Sequence, residues 1–195
     1  VDAARYYLAL ILVVTYPPAF AVWFVIHPFI GFWRRMGAAA TYAVTMPAAL
    51  AVCYLIFRFR DTLLGVEFGT NRVLLALGIV LYSVAMAVEL RCRRYLTLRT
   101  LLGVPELRAV EEGPGELLRQ GIYARVRHPR YLGVMLGGAG VACVANYLAS
   151  YLLMLGLIPV VYALTVIEER ELRQRFGEAY ERYSGDVPRL LPRLR

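Results

Sequence analysis

The stretch Gly121-Ile122-Tyr123-Ala124-Arg125-Val126-Arg127-His128-Pro129-Arg130-Tyr131-Leu132-Gly133 joins a charged segment to an apolar one. Upstream, residues 91–130 carry nine Arg and four Glu. Downstream, residues 131–167 are apolar throughout, broken only around Asn146 and Ser150. That run is too long for one crossing, so it reads as a helical hairpin that enters a bilayer and returns to the same side. Pro129 suits the first turn of a helix, where its missing N–H costs nothing. The helix N-terminus then lies beside Arg127, His128 and Arg130. Such a terminus suits a carboxylate or phosphate. Arginines beside a span also fix topology, and at this point both readings stand.

Working outward, the rest of the chain keeps the same character. It has 195 residues, 59% hydrophobic and 18% charged, more apolar than a soluble domain of this length. The length suits one membrane domain, residues 1–195. The formal net charge is +8, and every basic residue is Arg. These arginines fall between apolar runs, which fits anionic headgroups or an anionic ligand and argues against a nucleic-acid partner. Cys53, Cys92 and Cys143 are scattered, with no metal-ligand spacing, and read as free thiols.

Three spans are predicted within residues 1–90: Tyr6–Ile26, Gly37–Phe57 and Val73–Leu90. His27, at the end of the first, reads as interfacial. Glu89, at the end of the third, reads as paired with the arginines that follow. The loop 91–130 holds Leu117, Leu118, Ile122 and Tyr123, apolar enough to pack, and is expected to be ordered. Gly133, Gly137, Gly138 and Gly140 give the first hairpin arm a small-residue face. Such a face permits close helix approach, in competition with a cofactor cradle. Residues 168–183 continue the second arm as a charged helix that Gly185 ends. In it Glu169–Arg173, Glu171–Arg175 and Glu178–Arg182 are spaced to pair. The basic loop and the tail 168–195 belong on the cytoplasmic side, which requires five spans and an N-terminus outside.

Arg127-His128-Pro129-Arg130-Tyr131 with Gly133, Glu168-Glu169-Arg170-Glu171-Leu172, the run Phe176–Tyr183 and Val187-Pro188-Arg189 together resemble a known family. It is the integral-membrane methyltransferases typified by isoprenylcysteine carboxyl methyltransferase; phospholipid methyltransferases share a related pattern. The resemblance covers the chain from Gly115 onward. It implies S-adenosylmethionine as methyl donor and an active site at the cytosolic membrane face. It implies cofactor contacts at Tyr123, His128, Pro129, Arg130, Tyr131 and Glu168, and at Glu116, Leu117 and Leu118.

The residues fit that chemistry. Arg127 or His128 can take the donor's carboxylate. Glu168 can take its ammonium, and a tyrosine can flank adenine or the sulfonium. Arg127, His128, Glu168 and Glu169 are thus the catalytic candidates, with no metal. In the prenylcysteine enzymes an Arg one turn before the Glu pair helps bind the substrate carboxylate; here that position is Leu164. Leu164 is therefore expected near the reacting end of the acceptor.

The expected architecture is all-α and polytopic, with about five transmembrane helices, a C-terminal hairpin and cytosolic segments that cap the cofactor. The expected partners are membrane lipid and a lipophilic or lipidated substrate. Carboxyl methylation of a prenylcysteine-like substrate is the type activity. Amino-lipid N-methylation, thiol S-methylation and a non-catalytic binding or assembly role are the alternatives.

Overall fold

The computed structural model describes residues 2–96 and 117–193. They form α1 (Asp2–Ile26), α2 (Ile30–Arg58), the single turn α3 (Arg60–Leu63), α4 (Arg72–Arg93), α5 (Pro129–Ala145), α6 (Leu148–Phe176) and α7 (Glu178–Asp186). A 3-10 turn, Gly121–Ala124, precedes α5. Helices α1, α2, α4 and α6 are long and apolar enough to cross a membrane, and α5 is a shorter apolar helix. The protein is an all-α polytopic membrane protein. At 17 residues, α5 is about 25 Å long, just under one hydrocarbon thickness.

Contacts at the two ends fix the order in which the helices run. At one end, buried Arg5 of α1 donates from Nε to the Ala145 carbonyl at the end of α5, 3.0 Å away. Its Nη1 lies 2.7 Å from Glu67 Oε1, in the connection before α4. Asn146 turns the hairpin in the left-handed conformation (φ 58°). It donates from Nδ2 to Gly69 O at 2.8 Å and accepts from Phe68 N–H at 3.1 Å. This far end gathers the start of α1, the start of α4 and the α5–α6 turn. The opposite end holds the end of α1, the start of α2, the end of α4, the start of α5 and the end of α6. The four long helices and α5 therefore alternate in direction, and the hairpin is present as expected.

Helices α4 and α5 approach closely because both present glycine. A Cβ on Gly140 would lie 2.7 Å from the Gly78 carbonyl oxygen and 2.9 Å from the Tyr82 nitrogen. One on Gly78 would lie 2.6 Å from the Gly140 carbonyl oxygen. Gly133 and Gly137 face Val88 and Ala85 of α4, while Gly138 faces Tyr16 and Met154 on the other side. The glycine face is thus a packing surface, which suits helices that have only close contact to hold them together in lipid. Helix α1 lies over α5 and α6, burying Leu12 and Phe20 against Ala142, Met154, Leu157, Val161 and Leu164. Helix α2 is interrupted at Gly37 (φ 80°, ψ 163°), so residues 30–36 form a separate turn ahead of the span. Its large side chains, such as Leu50, Tyr54 and Leu55, stay exposed, as a lipid-facing helix requires.

Two features differ from the sequence reading. The charged helix does not continue to Gly185. It stops at Phe176, and Gly177 (φ 53°, ψ −131°) turns the chain into α7, which includes Gly185. A left-handed φ costs glycine little, so Gly177 marks the break. The second difference concerns Glu171, which pairs across the bundle with Arg34 and approaches His27 Nδ1 at 3.7 Å, not Arg175 one turn along. The expected order of the 91–130 loop falls in part outside the described residues. The expected Glu89–Arg93 pair forms at 3.0 Å, and the three cysteines are free.

Candidate active site

Backbone pairing builds the site at the end of the bundle opposite Arg5. Arg127 N–H donates to Pro188 O (2.9 Å) and His128 N–H to Arg189 O (3.0 Å). The tail therefore runs beside the junction, joined to it by these two backbone hydrogen bonds. Tyr183 O–H donates to Tyr123 O at 2.7 Å, tying α7 to the 3-10 turn. His128 is the N-cap residue of α5 and Pro129 its first residue, as the sequence suggested. Tyr180, Tyr183 and Val187 bury themselves against Leu117, Leu172 and Phe176, and this small core closes the cap.

The charges converge on the Glu pair of α6. Glu169 is fully buried. It accepts from Arg189 Nε at 2.9 Å and Nη2 at 2.7 Å, a bidentate pair. Arg127 Nη2 lies 2.9 Å from the same carboxylate, and Arg127 Nη1 donates to Ser184 O at 2.8 Å. Arg173 approaches at 3.8 Å. The His128 ring bridges the pair, with Nε2 3.2 Å from Glu169 Oε1 and Nδ1 3.5 Å from Glu168 Oε2. Burial works against a charged imidazole, but the Glu168 and Glu169 carboxylates outweigh it and hold the His128 pKa up at about 9. His128 is therefore an imidazolium at neutral pH.

Glu168, about a quarter exposed, faces a cavity of about 520 Å³ that Glu169 does not line. That volume is within the range of small-molecule sites. Its wall has two chemistries. Tyr123, Arg127, His128, Arg130, Tyr131 and Glu168 supply polar lining, while Ala19, Phe20 and Trp23 of α1 with Val134 of α5 supply apolar lining. A model of the family described as phospholipid methyltransferase matches residues 72–179, more than half the chain.

The chain belongs to the phospholipid methyltransferase family. Its long apolar helices make it an integral-membrane member of that family. Over 77 residues it is 35% identical to the protein-S-isoprenylcysteine O-methyltransferase of Schizosaccharomyces pombe. That stretch is 39% of this chain and only 33% of the relative. No solved structure matches the chain significantly.

The family match contains α4, α5, α6 and the cavity's polar wall. Leu117, Leu118, Tyr123, Arg127, His128, Pro129, Arg130, Tyr131 and Glu168 all line the cavity, as the sequence reading grouped them. Glu116 lies outside the described residues. Glu169 and Leu164 sit elsewhere. Glu169, which does not line the cavity, is the buried centre of the arginine cluster and is in a position to hold Arg127 and His128 in place. Leu164, expected at the acceptor's reacting end, is instead fully buried in the core with Leu12 and Phe20. The cause is α1, which covers α6 at that level.

The wall residues that sequence reasoning did not assign to the site include Trp23, His27 and Arg175, and it also missed the clamp residue Arg189. His27 is not a surface histidine. It is 5% exposed and stacks on Trp23 at 5.3 Å. The Pro-Arg that follows Val187 was a visible signal, but only the fold aims Arg189 at Glu169.

The raised pKa of His128 has a consequence for stability. A charged His128 stabilises the fold fully below its unfolded value of about 6.5, and that contribution is lost as pH rises through about 9. The loss is on the order of 3 kcal/mol. Thermal unfolding in detergent should show Tm falling between pH 6.5 and 9.5, more steeply for the wild type than for His128→Gln. Parallel curves would mean that another group carries the dependence.

Proposed function

We propose that the chain transfers a methyl group from S-adenosylmethionine to a lipophilic acceptor, with carboxyl methylation of a prenylcysteine-like lipid as its activity. The observation that carries this reading is a cavity lined both by Glu168 and His128 and by apolar residues of the membrane-spanning helix α1. The polar lining suits the donor. The Glu168 carboxylate, ion-paired with His128 through Oε2 and about a quarter exposed, is placed to take an ammonium group in the cavity. Tyr123 and Tyr131 offer aromatic faces to an adenine or a sulfonium.

When bound, S-adenosylmethionine supplies an electrophilic methyl group on sulfur. The chain need supply no nucleophile, because the displacement is direct. Its residues bind and align, and alignment is where a two-substrate reaction gains most. The His128 imidazolium fixes the Glu168 carboxylate, and Glu169 with Arg127 and Arg189 fixes His128. The apolar α1 wall excludes water and accommodates a lipid chain arriving sideways from the bilayer.

The carboxylate acceptor is supported by the relative's name. Amino-lipid N-methylation is the second reading, favoured by the family's description and by buried, apolar Leu164 where the prenylcysteine enzymes carry an Arg. Labelled methyl transfer to prenylcysteine, amino-lipid and thiol acceptors, with purified protein in lipid, separates these. Labelling of none of them counts against catalysis.

Donor binding is tested separately. Calorimetry with S-adenosylhomocysteine should show one site. His128→Ala and Glu168→Ala should each weaken it about tenfold or more, the loss of one charge-assisted bond of roughly 1.5–3 kcal/mol. Wild-type affinity in both variants would restrict these residues to packing.

The site end is proposed to face the cytoplasm. Arg34, Arg35, Arg91, Arg93, Arg94, Arg125 and Arg170 are at this end, whereas the far end mixes Arg5, Arg58, Arg60 and Arg72 with Asp2, Asp61 and Glu67. Topology reporters fused at Gly113 and Arg195 should report cytoplasm, and one at Val1 the opposite side. A Val1 reporter on the same side as Arg195 rules out five crossings.

A further inference from the structure

We propose that Arg175 is a carboxylate-binding residue of the cavity. The inference rests on the donor and acceptor reading above and extends it to a residue outside both family motifs. Arg175 lines the cavity from the last turn of α6 and is half-buried. Its expected helical partner, Glu171, is turned toward Arg34 and His27. Among the described residues no acid forms an ion pair with Arg175, and its guanidinium carbon lies 5.3 Å from the Phe176 ring, which lines the same cavity.

The neighbouring cations differ. Arg127 is bound to Glu169 and the Ser184 carbonyl, and Arg189 is locked on Glu169. A guanidinium against apolar and aromatic wall, with its local acid drawn away, is placed to receive an anion, and its planar fork matches a carboxylate. Two carboxylates reach such a cavity: that of the methyl donor and that of a prenylcysteine-like acceptor.

The test compares wild type, Arg175→Gln and Arg175→Lys, each first shown to unfold cooperatively in detergent. Calorimetry uses S-adenosylhomocysteine, which has the carboxylate, and 5′-methylthioadenosine, which lacks it. A second pair of titrations uses a prenylcysteine acid and its amide. If the donor's carboxylate is the ligand, Arg175→Gln weakens S-adenosylhomocysteine about tenfold or more and leaves 5′-methylthioadenosine unchanged. If the acceptor's carboxylate is the ligand, the prenylcysteine acid weakens by a similar factor and its amide does not. In either case Arg175→Lys recovers part of the loss, which separates a lost charge from lost packing. An Arg175→Gln protein that binds S-adenosylhomocysteine as wild type does, and the prenylcysteine acid no more weakly, overturns the proposal. A wild-type protein that binds neither overturns the donor and acceptor reading instead.

Discussion

Glu169→Gln is expected to destabilise the protein by about 3–5 kcal/mol, the cost of leaving buried charges without their partner. The carboxylate is 0% exposed and touches His128, Arg127 and Arg189 within 3.2 Å. Glutamine keeps the volume and one acceptor oxygen, so the loss is electrostatic. Thermal unfolding in detergent near pH 7 should show Tm lower by about 10 °C, at roughly 2–4 °C per kcal/mol for a chain of this length. Arg189→Met should cost less, because Arg127 and His128 still neutralise the carboxylate. S-adenosylhomocysteine binding should fall in both variants, although Glu169 does not line the cavity, because His128 loses its support. Small and equal shifts in the two variants would mean that solvent screens the cluster and that it acts as a surface network.

The second large effect is expected from Gly140→Val. The new Cβ would meet backbone atoms of α4 at 2.7 and 2.9 Å, and backbone cannot rotate away as a side chain can. The helices must part, at about 3 kcal/mol, the upper end for overpacking. Helix α5 begins with the Pro129-Arg130-Tyr131 segment, so its displacement also moves the cavity wall. Gly156→Val in α6 is the control, because a Cβ there meets nothing within 4 Å. Yield of monodisperse protein and Tm should fall sharply for the first and little for the second. Equal tolerance would show that the α4–α5 interface adjusts without loss.

The legible parts of the fold were those that one-dimensional patterns decide. Spans followed from runs of apolar residues, and Pro129 marked the start of α5 because only a first turn accepts it without loss. The cavity's polar wall was legible because its residues lie in two short motifs, and the hairpin brings those motifs to one end. Partner choice was not legible. Spacing offered Glu171 to Arg175, but Arg34 lies within reach across the α2–α6 contact, and a local helical pair contributes only a few tenths of a kcal/mol against such a competitor. Leu164 was misplaced for a related reason. Its position along α6 was right, but which neighbour covers that face depends on α1, 150 residues earlier in the chain. Gly177 was passed over because Glu and Arg continue on both sides of it at helical spacing.

The knot around Arg5 makes the far end a pivot. It ties α1 to the end of α5 and to the connection before α4, through a side chain that is 3% exposed. With that end held, a rigid-body motion of α1 would be a rocking one. From Arg5 to Ile26 the lever is about 31 Å, so a tilt of about 5° swings the opposite tip by roughly 3 Å. That tip carries Trp23, with His27 just beyond it, so the widest stroke would fall on the cavity wall, while the Arg5 end would scarcely move.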